Sequence, residues 1–170
     1  INIGHSKNDI KDFDLVVISS AIKRNNVELL KAIKQKIPVL PRAKMLAEIL
    51  RLKSSVTIAG SHGKTTTTSL ISCILEEGKL DPTVINGGII NTYKTNAKLG
   101  KGDWIIAEAD ESDGSFTYLP STICLINNID PEHLDFYGTF EKLKKAFIKY
   151  TDNVPFYGFI SICADHENLK

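Results

Sequence analysis

Apolar and polar positions alternate along the chain in two kinds of block. Short β-rich apolar runs are separated by longer stretches in which apolar residues recur every three or four positions. "DLVVIS" (14–19) reads as a buried strand. From 26 to 36, Val27, Leu30 and Ile33 have helical spacing, with Asn25 or Asn26 as N-cap. "IPVL" (37–40) is a second strand, at a sheet edge or beginning near Pro38, and 43–52 a second helix. "SVTIA" (55–59) is a strand that runs into a glycine-containing loop. The helix 64–77 follows, with Leu70, Ile71, Ile74 and Leu75 on one face and Gly78 as its stop. Strands are expected at 83–85, 104–109 and 122–127. Then comes a helix with Phe140, Leu143, Phe147 and Tyr150 on its buried face, and a last strand at 158–164. This alternation predicts an α/β fold with a mostly parallel sheet flanked by helices. Ligands of such sheets bind beyond the carboxyl ends of the strands.

Composition narrows the class. The chain has 170 residues, 42% of them hydrophobic, with 21 Lys and Arg against 20 Asp and Glu. A net charge of +1 gives no electrostatic reason to expect nucleic acid or an anionic membrane as partner. The apolar runs are too short to span a bilayer. Cys73, Cys124 and Cys163 are widely spaced and odd in number, which excludes a CxxC metal pattern and reads as three buried thiols of a reduced protein.

"IAGSHGKTTTTSL" (58–70) carries the first candidate chemistry. The strict phosphate-loop pattern G-x-x-x-x-G-K-[ST] fails, because Ile58 stands where its first glycine belongs. A shorter G-x-x-G-K-T remains. Gly60 and Gly63 let the backbone turn tightly, so that successive N–H groups can cradle an anion. The helix starting here adds its positive end. Lys64 supplies a full charge, Thr65 and Thr66 offer hydroxyls for Mg²⁺ or phosphate, and His62 can donate to an oxygen. The alternative is a strand-to-helix turn with a surface lysine.

Two further clusters follow later strands. "EADESDGSF" (108–116) packs Glu108, Asp110, Glu111 and Asp113 into six residues, the hard oxygen ligands that Mg²⁺ prefers, or else a solvated acidic loop. "NNIDPEHLDFYG" (127–138) holds Asp130, Glu132, His133 and Asp135 around Pro131. Parallel strands bring their carboxyl ends together, so loop, carboxylate and imidazole can converge on one Mg-nucleotide.

"GSHGKTTTT", "EADESDGSF" and "NIDPEHLDFYG", in this order, resemble the Mur ligase family. "VVISSAI" (16–22) and "INGGIINTYKTNAKLGKGDW" (85–104) are similar to it as well. The family's loop has the short form found here. The resemblance implies a P-loop-type central ATPase domain preceded by part of a Rossmann-like domain. Residues 1–52 would be the C-terminal part of the UDP-sugar-binding domain and 53–170 an incomplete ATP-binding domain, with the C-terminal ligase domain absent. The chain begins at Ile1 and ends on what reads as a helix start, so a fragment is expected.

The implied reaction is cytoplasmic, ATP-dependent amide formation in peptidoglycan precursor synthesis. ATP and Mg²⁺ would be the cofactors, and UDP-N-acetylmuramate and L-alanine the substrates. By resemblance Gly60, Ser61, His62, Gly63, Lys64, Thr65 and Thr66 hold the ATP phosphates. Thr65 sits near one magnesium, and Glu108 and His133 ligate another. Lys64, Glu108 and His133 are the catalytic set. A turn at Asn86, Gly87 and Gly88 lies near the UDP-sugar, while Asp110, Glu111 and Asp130 are outer-sphere or structural. "SDGSF" and "DPEHLD" favour the alanine-adding branch over one that attaches a tripeptide to the same sugar nucleotide. A non-catalytic nucleotide-binding module and an unrelated P-loop NTPase are the other readings.

Overall fold

A computed structural model describes residue 4, residues 10–90 and residues 94–170, the side chain of Ile90 apart. Residues 91–93 of the 85–104 stretch lie outside the described residues. The chain divides into two compact units, Ile1–Leu46 and Ala47–Lys170.

In the first unit, β1 (Val16–Ile18) pairs in parallel with β2 (Val39–Pro41), Val16 opposite Val39. Helix α1 (Val27–Lys34) connects them. Its N-cap is Asn26, whose side chain accepts from the N–H groups of Glu28 (2.9 Å) and Leu29 (3.1 Å). Leu29 and Ala32 are the buried residues, while Val27, Leu30 and Ile33 are exposed. The helical period is therefore as expected, and its buried face is turned by about a third of a turn. Helix α2 (Arg42–Leu50) spans the division between the units.

The second unit is a six-stranded sheet. Its strands are β3 (Ser54–Ala59), β4 (Thr83–Ile90), β5 (Thr95–Lys98), β6 (Trp104–Glu108), β7 (Ile123–Ile126) and β8 (Phe159–Ile162). Their order is β5-β4-β6-β3-β7-β8, and every pairing is parallel except β4 with β5. The central strand β3 has Ile58 opposite Glu108 and Ala59 opposite Ile126, so three carboxyl ends are level.

Strand alternation sorts the two faces. Val56, Ile58, Val84 and Ile106 form one core, packed by Ile71 and Leu75 of α3 (Lys64–Glu77). The small residues Thr68 and Ser72 are buried on α3, whereas Leu70 and Ile74 point to solvent. The expected face is thus half right: the small polar positions let the helix lie close to the sheet. Thr57 points the other way and shares a hydrogen bond with the Tyr150 hydroxyl on α5 (Phe140–Thr151). Leu143, Phe147 and Tyr150 are buried there as the spacing predicts.

Three elements differ from the sequence pattern. Strand β4 runs to Ile90 instead of ending near 85. Polar, exposed β5 and the short helix α4 (Leu134–Tyr137) have no counterpart in the apolar pattern. Only Cys124 is buried among the cysteines; Cys73 and Cys163 are exposed, the first on the outer side of α3 and the second just past β8. Burial pushes the Cys124 thiol up to about 11, partly offset by a hydrogen bond with Tyr150. Under native conditions near neutral pH, a thiol reagent should modify Cys73 and Cys163 and spare Cys124 until the chain unfolds, which mass spectrometry of labelled peptides would read.

Candidate active site at the strand ends

Strand β3 delivers the loop 60–63 to the amino end of α3. Gly60 (φ +136°) and Gly63 (φ +77°) occupy backbone regions that disfavour side chains. A Cβ on Gly60 would stand 3.1 Å from Asn127 Cβ and from the Asn128 backbone, so the loop lies directly on the end of β7. Gly63 is the N-cap of α3 and contributes no side-chain cap to the N–H groups of the first turn.

Lys64 is folded back into the protein. Its ammonium donates to the Gly60 carbonyl (2.7 Å) and to both carboxylate oxygens of Glu111 (3.0 and 2.9 Å). Its side chain is 13% exposed and that of Glu111 0%. The glutamate that the sequence leaves among outer-sphere or structural residues is thus the buried counter-charge of the loop lysine. Tyr137 donates its hydroxyl hydrogen to the Glu111 carbonyl. Burial, followed by the charges of Glu111, Asp113 and Asp110, pushes the Tyr137 phenol up to about 12.

Thr65 donates its hydroxyl to Glu108 Oε2 (3.0 Å), and the Gly87 N–H donates to the same oxygen (3.0 Å). A Cβ on Gly88 would come within 3.1 Å of Thr65 Cγ2. Asn86, Gly87 and Gly88 therefore adjoin the loop, as a stretch of β4 and not as the expected turn. The Gly87 N–H is directed to a side chain, and the β4–β5 register shifts between Ile85 and Ile90.

Ser61 is buried and taken up locally: its hydroxyl donates to the Asp130 carbonyl (3.3 Å) and accepts from the Asp130 N–H (2.9 Å). Thr66 is exposed on the first turn of α3. His62 is exposed too, with Nε2 3.6 Å from Asp130 Oδ2 and 3.5 Å from Glu132 Oε1. His133 has a left-handed backbone (φ +54°) just before α4, and its Nε2 lies 3.8 Å from Glu111 Oε1.

Glu108 and His133 are thus each matched with a different partner, Thr65 and Glu111. Among the described residues, the group of three His, Cys, Asp or Glu ligand atoms within 4.8 Å of one another is Glu111, Glu132 and His133. Asp110 and Asp113 instead shape their turn, accepting from the N–H groups of Ser112 and Ser115 (3.0 Å each). Asn127 and Asn128, which grip the loop from β7, are missed by reading the sequence. The tight approach required of Gly60 is the one signal for them, and it becomes visible once β3 and β7 are known to be neighbours.

The glycine loop, a buried lysine–glutamate pair and a hydroxyl–carboxylate pair therefore meet at the level ends of β3, β6 and β7. Comparison with known proteins gives the same arrangement a lineage. The Mur ligase middle domain profile matches residues 58–170, and that of the Mur ligase family catalytic domain matches residues 1–54. A protein of Methylocella silvestris named UDP-N-acetylmuramate–L-alanine ligase is 58% identical over the whole chain, and one of the same name from Azorhizobium caulinodans is 58% identical over 98% of it. The chain spans 36% of the length of each. The crystal structure of UDP-N-acetylmuramate-alanine ligase MurC from Thermotoga maritima superimposes on 98% of the chain with a TM-score of 0.85 at 28% identity, 39% of that protein being covered. The Neisseria meningitides UDP-N-acetylmuramate:L-alanyl-gamma-D-glutamyl-meso-diaminopimelate ligase shares the fold, with a TM-score of 0.81 over 92% of this chain and 53% of its own, at 24% identity. With the middle-domain match covering all of the sheet from the end of β3 onwards, the chain belongs to the Mur ligase family.

Proposed function

We propose that this chain provides the nucleotide-phosphate site of a cytoplasmic ligase that joins L-alanine to UDP-N-acetylmuramate at the expense of ATP. Residues 1–52 would form the end of the sugar-nucleotide domain and 53–170 the central ATP-binding domain, the rest of the catalyst being supplied by further domains. The observation that carries this reading is the convergence of the 60–65 loop, Glu108 and the Glu111–His133 pair at the carboxyl ends of the central strands. The identity of 58% to proteins named for L-alanine supports that amino acid over the tripeptide.

In this reading a carboxylate oxygen of the sugar acid attacks the γ-phosphorus and the bond to ADP breaks, giving an acyl phosphate. The amine of L-alanine then attacks the acyl carbon, phosphate leaves and the nitrogen loses its proton. The N–H groups of Gly63 and the first turn of α3 hold the phosphate oxygens, and Lys64 neutralises them. The hydroxyl of Thr65 and the carboxylate of Glu108 are hard donors of the kind Mg²⁺ takes, while His133 with Glu111 and Glu132 is a mixed set that also accommodates a softer divalent ion. A divalent ion held there would offset charge on the phosphates.

Calorimetric titration with Mg-ATP tests the grip: saturable binding is expected, and a folded chain that shows none overturns it. Phosphate release by the full-length ligase should require UDP-N-acetylmuramate and L-alanine together. Turnover with the tripeptide alone would refute the alanine assignment.

A further inference from the structure

Two glycines make the loop able to close on an anion and equally able to leave that shape, since glycine loses more conformational freedom on ordering than any other residue. What holds it comes from the end of β7. The His62 N–H donates to Asn128 Oδ1 (2.7 Å), and Asn128 Nδ2 donates back to the His62 carbonyl (3.1 Å). The Ser61 N–H donates to the Asn128 backbone carbonyl (3.3 Å). Asn127 Nδ2 donates to the same His62 carbonyl (3.3 Å) and to Thr67 Oγ1 (3.0 Å), tying the loop to the first turn of α3. Gly60 has no Cβ, and only so can it sit against both asparagines.

We propose that Asn128, assisted by Asn127, is the positioning residue of the phosphate loop. Its carboxamide engages the two successive peptide units that flank the His62 Cα, accepting from the N–H of the first and donating to the carbonyl of the second, and thereby fixes their relative orientation at His62. The role needs an amide. A carboxylate accepts from the N–H but cannot donate to the carbonyl, and it places a negative charge beside the anion site. One consequence is specific: the His62 N–H is already bonded, so it is not among the donors to phosphate, which are left to Gly63 and the start of α3.

This inference rests on the phosphate-grip reading above. Its test combines ADP titration in the presence of Mg²⁺ with amide hydrogen exchange on the full chain. In the wild type the His62 amide should be protected although the residue is exposed. Asn128→Ala should weaken ADP about tenfold, the scale of one or two net hydrogen bonds. It should also accelerate exchange at His62 while amides of β6 and α5 keep their wild-type rates, a local signature that general destabilisation does not give. Asn127→Ala should produce a smaller loss of the same kind. A wild type that fails to bind ADP overturns the phosphate reading and the positioning role with it. A wild type that binds ADP while His62 exchanges freely overturns the positioning role alone, as does an Asn128→Ala chain with unchanged affinity. Should Asn128→Ala not fold, the wild-type exchange pattern and Asn127→Ala decide the matter.

Discussion

Replacing Lys64 with alanine is expected to abolish nucleotide binding and, in addition, to lower the stability of the chain by about 3–5 kcal/mol. The second effect is unusual for a residue on a ligand loop, where an exposed lysine would change stability by roughly 0.5 kcal/mol or less. It follows from Glu111. That carboxylate is fully buried, and both of its oxygens are bonded to the Lys64 ammonium. Without the lysine it becomes an uncompensated buried charge, with the His133 imidazole 3.8 Å away. Urea denaturation of Lys64→Ala checks the loss. Adding Glu111→Gln to Lys64→Ala should recover a large part of the stability and none of the affinity. Equal stability of Lys64→Ala and wild type would mean that the pair is not the buried ion pair described here. The comparison also separates a lysine that contacts phosphate from one that merely holds the fold together.

Phe116→Ala is expected to be as damaging, at about 3–5 kcal/mol. Phe116 ends the "EADESDGSF" segment in a short 3₁₀ turn, Ser115–Tyr118, and is 1% exposed. Its ring lies 5.0 Å from that of Phe147, edge to face, and 5.1 Å from that of Tyr150. It anchors the carboxylate segment to α5, so its removal should also displace Glu111. Thermal unfolding of Phe116→Ala would measure the loss, and a shift of only a degree or two would refute the anchoring. Phe116→Leu should restore much of the stability, because it refills most of the volume.

Much of this molecule is legible in its sequence, for identifiable reasons. Strands β3, β6, β7 and β8 are apolar runs next to turn residues, and the helix after Gly138 keeps its buried face where the spacing puts it. Strand β5 is invisible because Thr95 to Lys98 is a polar, mostly exposed segment that owes its conformation to pairing with β4. The face of α3 is misjudged because burial there falls partly on Thr68 and Ser72, which hydrophobicity does not mark. At the site, the loop and its lysine are plain, since glycine spacing before a helix has a physical meaning. The burial of Glu111 is not, because a glutamate among three other acidic residues reads as solvated. Its partner is 47 positions away in the chain. Asn86 to Gly88 are expected as a turn by resemblance, yet they lie within β4, where the register against β5 shifts and the Gly87 N–H turns to the Glu108 carboxylate.

The order of strands has a consequence for synthesis. The central strand β3 is made early, but its two sheet neighbours, β6 and β7, are made after β4 and β5. His62 and the asparagine that clamps it are 66 residues apart. A nascent chain emerging from the ribosome therefore exposes its glycine loop, unclamped, until β7 has followed it out. At typical elongation rates of about 5–20 residues per second, that interval lasts several seconds. The glycine loop thus takes its clamped shape only after Asn128, 66 residues further along, has been made, so a nucleotide can meet that shape no earlier than β7.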